Sequence, residues 1–331
     1  MKKIFNLSAG FALGGILLFF TFRGKNMADV WHSISAADLL LSLISLFLMM
    51  VVFVLRAARW QLLLRESGTQ VAFYDVLSSL GMGYFVNCIT PKFGEVARCL
   101  SLQRNADVPL ANSLGTVISE RVYDIAVLAL GLALVFAAEM TRLSSLASQI
   151  SQQITALFGA HAIWYGILCL VTVVSLTVFF RKQIGRIGVF SRASYFFTQV
   201  GQSMAQSFSL TRYWLFIGYT LGIWLALILV NYVFLHAMNI VASDMHFAVI
   251  VLFISSIGWA LPAPGGVGTS HFIVLQLFLA FGKSEESGLA FGIYSNGITL
   301  AFILAFGVIA VADYFWGRAW RSKLRAQNLS Q

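Results

Sequence analysis

The chain has 331 residues, of which 59% are hydrophobic and 11% are charged. Soluble domains carry about 25% charged residues, so this composition excludes an ordinary soluble protein and indicates a polytopic protein of the membrane bilayer. Much of the net charge of +9 lies in short flanks such as 181–192 and 318–325, which is typical of cytoplasmic anchors and not of a protein that binds nucleic acid.

Apolar segments long enough to cross a bilayer follow one another along the chain. About 20 apolar residues span the hydrocarbon core. The first segment begins after Lys2-Lys3 and has no small-residue cleavage site, so it is expected to stay as an uncleaved helix. The fold class predicted is an all-α polytopic membrane protein with about six spanning helices. These helices are predicted at 5–22, 37–64, 110–138, 162–180, 214–237 and 289–315.

Two further apolar segments are interrupted by proline and glycine. The first lies near 71–104 and is interrupted by the charged segment 87–98; the second lies near 247–282 and is interrupted by the Pro-Gly segment 262–268. Backbone released by such residues persists at membrane depth only where protein or a wet cavity covers it. Each segment is therefore predicted to be a re-entrant broken hairpin. A polar loop at the membrane surface is the alternative for 87–98.

The basic clusters orient these elements. Placing 181–192 and 318–325 in the cytoplasm puts both termini there, with the first hairpin entering from the cytoplasm and the second from the exterior. The chain then consists of two membrane repeats, 1–140 and 141–331, the latter with a basic C-terminal tail. The second repeat is inverted relative to the first. Paired interrupted segments at matching positions are typical of the central site of a transporter.

Charged side chains within apolar sequence are candidate site residues, because a charge in the hydrocarbon core normally pairs or lines a wet cavity. Convergence of five cations and three anions would leave a surplus of two positive charges, which suits a phosphate group bound by Arg side chains and helix N-termini. The cations are Arg56, Arg59, Lys92, Arg98 and Arg121, and the anions are Glu95, Glu120 and Asp124.

Structural alternatives exist for both groups of charges. Arg56 and Arg59 share a helical face and could be a snorkelling pair at a helix end. Glu120, Arg121 and Asp124 lie about ten residues into a spanning helix. Their alternative role is a purely structural ion-pair network with the cations of the first hairpin.

The second hairpin adds a glycine-rich turn. Its backbone N–H groups could cradle an anion, although a close helix crossing explains adjacent glycines equally well. The polar residues Tyr294, Ser295 and Asn296 occupy positions on the last helix that correspond to 120–124. The candidate residues of this hairpin are Pro264, Gly265, Gly266, Gly268 and His271.

Enzyme signatures are absent from the sequence. It has no P-loop, zinc-protease or nucleophile-elbow motif. The five histidines do not share a helical-face spacing, so no metal site is expected. The protein is accordingly expected not to be an enzyme and to need no cofactor.

Four motifs occur in order at characteristic separations. They are Arg56-x-x-Arg59-Trp60-x-x-Leu63-Leu64, Pro91-x-x-Gly94-Glu95-x-x-Arg98, Ser119-Glu120-Arg121-x-x-Asp124 and Leu261-Pro262-x-Pro264-Gly265-Gly266-x-Gly268. Together they resemble the flippase-like membrane domain of lysylphosphatidylglycerol synthases, which also occurs as a standalone protein. The resemblance implies a multi-pass protein of the inner (cytoplasmic) membrane that translocates a lipid or a lipid-linked group between leaflets.

Two departures from the family pattern affect these expectations. The synthases carry a soluble transferase domain after the membrane part, whereas this sequence ends at Gln331, so lysyl transfer from tRNA is not expected. Many relatives have a Glu shortly after the glycine-rich turn, where this chain has Thr269, Ser270 and His271. His271 can replace that carboxylate only if it faces the cavity.

Three hypotheses follow. The leading one is a flippase-like transporter of an anionic phospholipid or a polyprenyl-phosphate-linked lipid. The second is a non-transporting partner of an enzyme of envelope lipid or glycan biosynthesis. The third is an intramembrane transferase that uses Glu95, Glu120 or Asp124 as a base.

Cysteine labelling tests the predicted topology. Single cysteines near Ser151 or Ser284 are expected to react with an impermeant thiol reagent from the exterior, because those segments connect helices on that side. Cysteines near Ser191 and Asn328 are expected to remain unlabelled in intact cells. Exterior labelling near Arg104 would contradict the inverted repeat.

Overall fold

The structure is a computed structural model in which the described residues are 14–19, 21–90, 92–144, 212–240, 244–261 and 263–317, with the isolated positions 148, 152, 198 and 202. Of the predicted first helix, residues 14–19 and 21–22 are described, and they are helical. The predicted helix 162–180 and the two basic clusters lie outside the described residues.

The described part of the chain is built from helices. Four of them are long and apolar enough to cross a membrane: Leu39–Glu66, Leu110–Ala138, Tyr213–Ala237 and Glu285–Gly317. They coincide with four of the six predicted spans. The protein is therefore a multi-pass α-helical membrane protein. The helices with both ends described are α1 (Met27–Ser35), α2 (Leu39–Glu66), α3 (Phe73–Ile89), α4 (Gly94–Ala106), α5 (Leu110–Ala138), α6 (Tyr213–Ala237), α7 (Met245–Ala260), α8 (Thr269–Ala280) and α9 (Glu285–Ala312).

Side-chain caps define where several helices begin. The carboxylate of Asp38 accepts a hydrogen bond from the backbone N–H of Leu41 at 3.0 Å, at the start of α2. At the start of α7, Asp244 accepts from Phe247 N–H at 2.8 Å. Ser284 caps α9 in the same way. Each cap satisfies a backbone donor that would otherwise have no partner at a helix N-terminus.

The first broken hairpin consists of α3 and α4. Helix α3 ends because Thr90 precedes a proline and is extended, with φ −128°. Helix α4 begins at Gly94, whose N–H donates to the Asn87 side chain at 2.8 Å. The two arms approach closely at glycines, since a Cβ on Gly83 would lie 2.9 Å from the Gly94 carbonyl oxygen.

The second arm of this hairpin is longer than the sequence predicted. The hairpin was predicted near 71–104, but α4 continues to Ala106 and includes Arg104 and Asn105. These polar side chains are accommodated by contacts with the turn after α9. The Asn105 amide donates to Asp313 at 3.0 Å, and the Arg104 guanidinium lies 4.4 Å from the centre of the Tyr314 ring.

The second broken hairpin consists of α7 and α8, joined by a 3₁₀ turn at Pro264–Gly266. Its arms also approach closely at a glycine, because a Cβ on Gly258 would lie 2.7 Å from the Ser270 Cα. The Thr269 hydroxyl donates to the Gly258 carbonyl at 2.7 Å and joins the two arms beside the break. Both hairpins are therefore narrow near their tips.

The two halves of the described structure interlock. Helix α2 packs along α6, while α3 packs against α9 and α7 packs against α5. The helix that follows each hairpin, α5 or α9, has a glycine that leaves space for an aromatic ring from the hairpin of the other half. A Cβ on Gly131 of α5 would overlap the Phe253 ring, and one on Gly307 of α9 would overlap the Phe85 ring. Neither hairpin could pack in this way without the other half.

Substitution of Gly94 tests the closest of these helix approaches. Gly94→Ala is expected to lower the melting temperature in detergent, because its Cβ would overlap the Gly83 carbonyl and the Asn87 side chain. The loss should be about 1–3 kcal/mol, the usual cost of overpacking. Gly218→Ala is the control, since no atom lies within 4 Å of the added Cβ. Equal melting temperatures for the two variants would show that the close approach imposes no constraint.

Candidate functional site

The centre of the charged site is the buried carboxylate of Glu120 on α5. It lies 2.8 Å from Arg59 Nη2 on α2 and 3.0 Å from Arg98 Nη1 on α4, so it joins three helices. Arg59 also contacts Asp124, one turn after Glu120, at 2.8 Å. The side chains of Arg59 and Glu120 are both 0% exposed. Charges this deep in apolar sequence require such pairing, because each would otherwise be desolvated without compensation.

This geometry excludes the snorkelling alternative for Arg59. A snorkelling side chain keeps its charged end in water, whereas the Arg59 guanidinium is enclosed and also donates to Thr220 on α6 at 3.3 Å. Arg56, one turn earlier, differs from it. Its guanidinium lies 4.0 Å from Asp124, and its side chain is 16% exposed.

Arg98 fixes the first hairpin to the rest of the site. Its guanidinium contacts Glu120 and lies 2.8 Å from Glu95, one turn away on α4. It also lies 4.8 Å from the centre of the Trp60 ring. The Trp60 indole is itself held by a 3.1 Å hydrogen bond to Thr116. The helix that follows the break of the first hairpin is thus anchored to α5 within its second turn.

Arg121 is the most exposed arginine of the cluster. Its side chain is 37% exposed, and its contacts with Glu95, Glu120 and Asp124 are 3.6, 3.7 and 3.4 Å. Arg59 and Arg98 make the shorter contacts with Glu120. The carboxylates are consequently neutralised mainly by the buried arginines, and the Arg121 guanidinium faces a cavity.

That cavity lies among the helices and has a volume of about 440 Å³. Both hairpins contribute to its lining, and so do α2, α5, α6 and α9. Of the predicted site residues, Arg56, Lys92, Glu95, Arg98, Arg121, Gly265 and Gly266 line it. Arg59, Glu120 and Asp124 lie behind this lining and hold its arginines through the contacts above.

The tips of the two hairpins meet at the cavity. The Lys92 ammonium donates to the Trp259 carbonyl, at the end of α7, over 3.3 Å. Lys92 is one of the few non-glycine residues with a left-handed backbone, at φ 64°. For a residue with a Cβ, such a conformation costs about 1–3 kcal/mol, and the surrounding structure must compensate for it.

The glycine-rich turn is organised by its own hydrogen bonds. The N–H groups of Gly266 and Gly268 donate to Ala263 O and to His271 Nδ1, so neither is free to cradle an anion. Close packing explains the glycines instead. A Cβ on Gly265 would lie 2.8 Å from Leu300, and one on Gly266 would lie 3.0 Å from the Trp259 ring.

Three predicted residues of this turn lie away from the cavity lining: Pro264, Gly268 and His271. A Cβ on Gly268 would overlap the backbone of Gly14, in the N-terminal helical segment. The His271 side chain is buried, with its imidazole 6.2 Å from the Phe22 ring. The condition under which it could replace a family carboxylate is therefore not met in this structure.

Four neutral polar residues of α6 and α9 also belong to the cavity lining, and none of them was predicted as a site residue. Asn231, Ser295, Asn296 and Thr299 all line it. The signal for Asn231 was available, because it is an isolated amide within the apolar segment of α6. Asn296 donates to Gly265 O at 3.2 Å and so supports the turn of the second hairpin from α9.

The fold and the cavity define the protein as a multi-pass α-helical membrane protein with a charged cavity among its helices. Comparison of sequences identifies its family. The family described as the lysylphosphatidylglycerol synthase TM region matches residues 7–307, and the chain belongs to it. The family expected from the four motifs is confirmed.

The chain is also similar to the UPF0104 membrane protein MJ1595 of Methanocaldococcus jannaschii, with 31% identity over 88 residues. The alignment covers 26% of this chain and 26% of that relative, so the chain matches about a quarter of the relative's length. No solved structure matches the chain.

Replacement of the two arginines of α2 tests the buried network. Arg59→Met is expected to destabilise the protein by about 3–5 kcal/mol, because it leaves Glu120 and Asp124 incompletely paired in a buried site. Arg56→Met is the matched control and should cost less than about 1 kcal/mol, since its contact is long and partly solvated. Thermal melting in detergent measures both variants. A larger loss for Arg56→Met would contradict this assignment.

Proposed function

We propose that the protein is a flippase-like transporter that moves an anionic phospholipid or a polyprenyl-phosphate-linked lipid between leaflets. The observation that carries the proposal is the placement of Arg121 and Arg56, which face a cavity of about 440 Å³ bounded by two broken hairpins. Membership of a family named for the membrane region of lysylphosphatidylglycerol synthases supports a lipid as the substrate.

The charge balance of the cavity supports a phosphate group as the feature recognised. The cluster contains five cations (Arg56, Arg59, Lys92, Arg98, Arg121) and three anions (Glu95, Glu120, Asp124), a difference of two positive charges. Because Arg59 and Arg98 hold Glu120 by short contacts, Arg121 makes only longer contacts with the carboxylates, and a ligand in the cavity would compete with those contacts for its guanidinium. A guanidinium can bind two phosphate oxygens at once, which gives both affinity and orientation.

The arrangement of the hairpins supports movement of the substrate. Each half contains a long helix, a broken hairpin and a second long helix, and the hairpin tips meet through Lys92 and Trp259. We infer an inverted repeat of six spanning helices in the inner (cytoplasmic) membrane, with both termini cytoplasmic. Opposed hairpins around a central site are suited to alternating access, since one can shift while the site stays in place.

The alternatives receive less support from the geometry. In a transferase, Glu95, Glu120 or Asp124 would act as a base, yet each lies within salt-bridge distance of an arginine and would have to leave that contact to reach a proton of the substrate. A non-transporting partner of an envelope-biosynthesis enzyme would not need a cavity with cations facing into it. Transport is therefore the function that uses the features of the site most fully.

Two substitutions of Arg121 test the phosphate-binding role. Arg121→Lys is expected to retain less than about a tenth of the translocation rate, because a point charge cannot replace a bidentate fork. Arg121→Ala is expected to lose translocation while melting close to the unaltered protein. Translocation is measured in proteoliposomes with fluorescent anionic phospholipids, by the accessibility of the label to an impermeant quencher.

Arg65→Lys is the control for this experiment, since Arg65 is exposed near the end of α2. It should translocate normally. Near-normal translocation by Arg121→Lys together with a destabilised Arg121→Ala would reject the ligand role and leave Arg121 as part of the scaffold.

A further inference from the structure

Lys92 differs from the other cations in the lining of the cavity. The guanidinium groups of Arg56, Arg98 and Arg121 each lie 4.0 Å or less from a carboxylate. In the described part of the chain, the Lys92 ammonium has no carboxylate within that distance, and it donates instead to the Trp259 carbonyl at 3.3 Å. The acceptor of Lys92 is thus a neutral oxygen, whereas each of these arginines already has an anion.

The Trp259 carbonyl belongs to a helix end that lacks its usual partner. It lies in the last turn of α7, which ends at Ala260. In a continuing helix it would accept a hydrogen bond from the N–H four residues later, but the Ala263 N–H donates to Leu261 O at 2.8 Å. Cations stabilise the C-terminal end of a helix through its exposed carbonyls and its dipole. Lys92 therefore caps α7, and it does so from the tip of the other hairpin.

The turn that carries Lys92 is held by local hydrogen bonds. The Phe93 N–H donates to Thr90 O at 3.3 Å, and the Gly94 N–H donates to the Asn87 side chain at 2.8 Å. These bonds keep the backbone of Lys92 in its left-handed conformation. Its side chain, by contrast, is exposed and ends in a compact charge on a flexible four-carbon stem. The ammonium can therefore exchange one acceptor for another without a change in the turn.

A phosphate oxygen is a stronger acceptor for this ammonium than the Trp259 carbonyl. An ammonium–phosphate contact adds the attraction of opposite charges to the hydrogen bond, and this attraction is large where water is partly excluded. Lys92 lines the cavity that Arg121 also lines. An anion bound there would compete with the Trp259 carbonyl for the ammonium. It would thereby remove the hydrogen bond that joins the two hairpin tips.

We propose that Lys92 is an anion-sensitive latch between the two hairpins: it joins their tips by capping α7, and it releases them when its ammonium binds a phosphate group in the cavity. Phosphate binding and separation of the tips are then coupled, because the ammonium leaves one acceptor as it takes the other. The inference rests on the proposed function, since it states how the same site responds to its phosphate ligand. The phosphate can belong to a lipid or to a soluble ion, and the experiment distinguishes the two.

Spin labels on the two tips test the latch in the full chain in detergent. Cysteines replace Ile89 and Leu261, which are exposed residues beside the two breaks, in a background without the three native cysteines. Electron paramagnetic resonance then measures the distribution of distances between the labels. With Lys92 present, dioctanoyl phosphatidic acid is expected to shift this distribution to longer distances. Dioctanoylglycerol, which lacks the phosphate, should leave it unchanged.

Substitutions of Lys92 test the latch without a ligand. Lys92→Met removes the charge and keeps a similar length, so the ratio of separated to joined tips is expected to rise about tenfold, as for the loss of one hydrogen bond from a charged group. Phosphatidic acid should then change the ratio no further. Lys92→Arg retains a cationic donor and should keep the tips joined. Lys283→Met is the matched control, because Lys283 lies over the Phe247 ring and does not line the cavity.

The outcomes separate the latch from the proposed function. Unchanged distances in Lys92→Met, or an equal change in Lys283→Met, would overturn the latch, while Arg121-dependent translocation of anionic phospholipids would leave the transporter standing. Tips that separate in Lys92→Met, but that respond to neither phosphatidic acid nor inorganic phosphate when Lys92 is present, would overturn the anion trigger. Separation by inorganic phosphate as complete as that by phosphatidic acid would support the latch and would contradict a lipid as its ligand.

Discussion

The structure depends on the pairing of one buried carboxylate, that of Glu120. This group lies between Arg59 and Arg98 with no exposed side-chain surface, and it joins α2, α4 and α5. Removing such charges from water is costly, and only close mutual pairing offsets the cost. Because Arg98 lies one turn into α4, this pairing also determines where the first hairpin can lie. The position of the break thus follows from electrostatics as much as from proline and glycine.

Steric contacts between the two halves also restrict where the hairpins can lie. Gly131 and Gly307 each provide space for an aromatic ring from the hairpin of the other half, namely Phe253 and Phe85. Protein interiors are close-packed, so these contacts place each hairpin with little freedom at its base. The tips, by contrast, meet through a polar contact between Lys92 and the Trp259 carbonyl. In the transport mechanism proposed above, the packed frame would stay in place while the contact between the tips opens.

The charged lining residues of the cavity are unevenly distributed. Among the described lining residues, all the charged ones come from α2 to α5, whereas those of α6 to α9 are uncharged. Arg121 supplies charged donors to the cavity, while Asn231 and Thr299 supply uncharged polar groups.

The sequence by itself determined the membrane class, the family, four of the spanning helices and the places where both hairpins break, because hydropathy and helix-breaking residues act locally. It also indicated which charges are important. Tertiary structure decided their roles. Arg59 and Arg56 are three residues apart, yet only Arg59 is fully buried, since its partners come from α5 and α6. His271 is turned away from the cavity by packing near Phe22. Such choices depend on segments distant in sequence, which no local pattern contains.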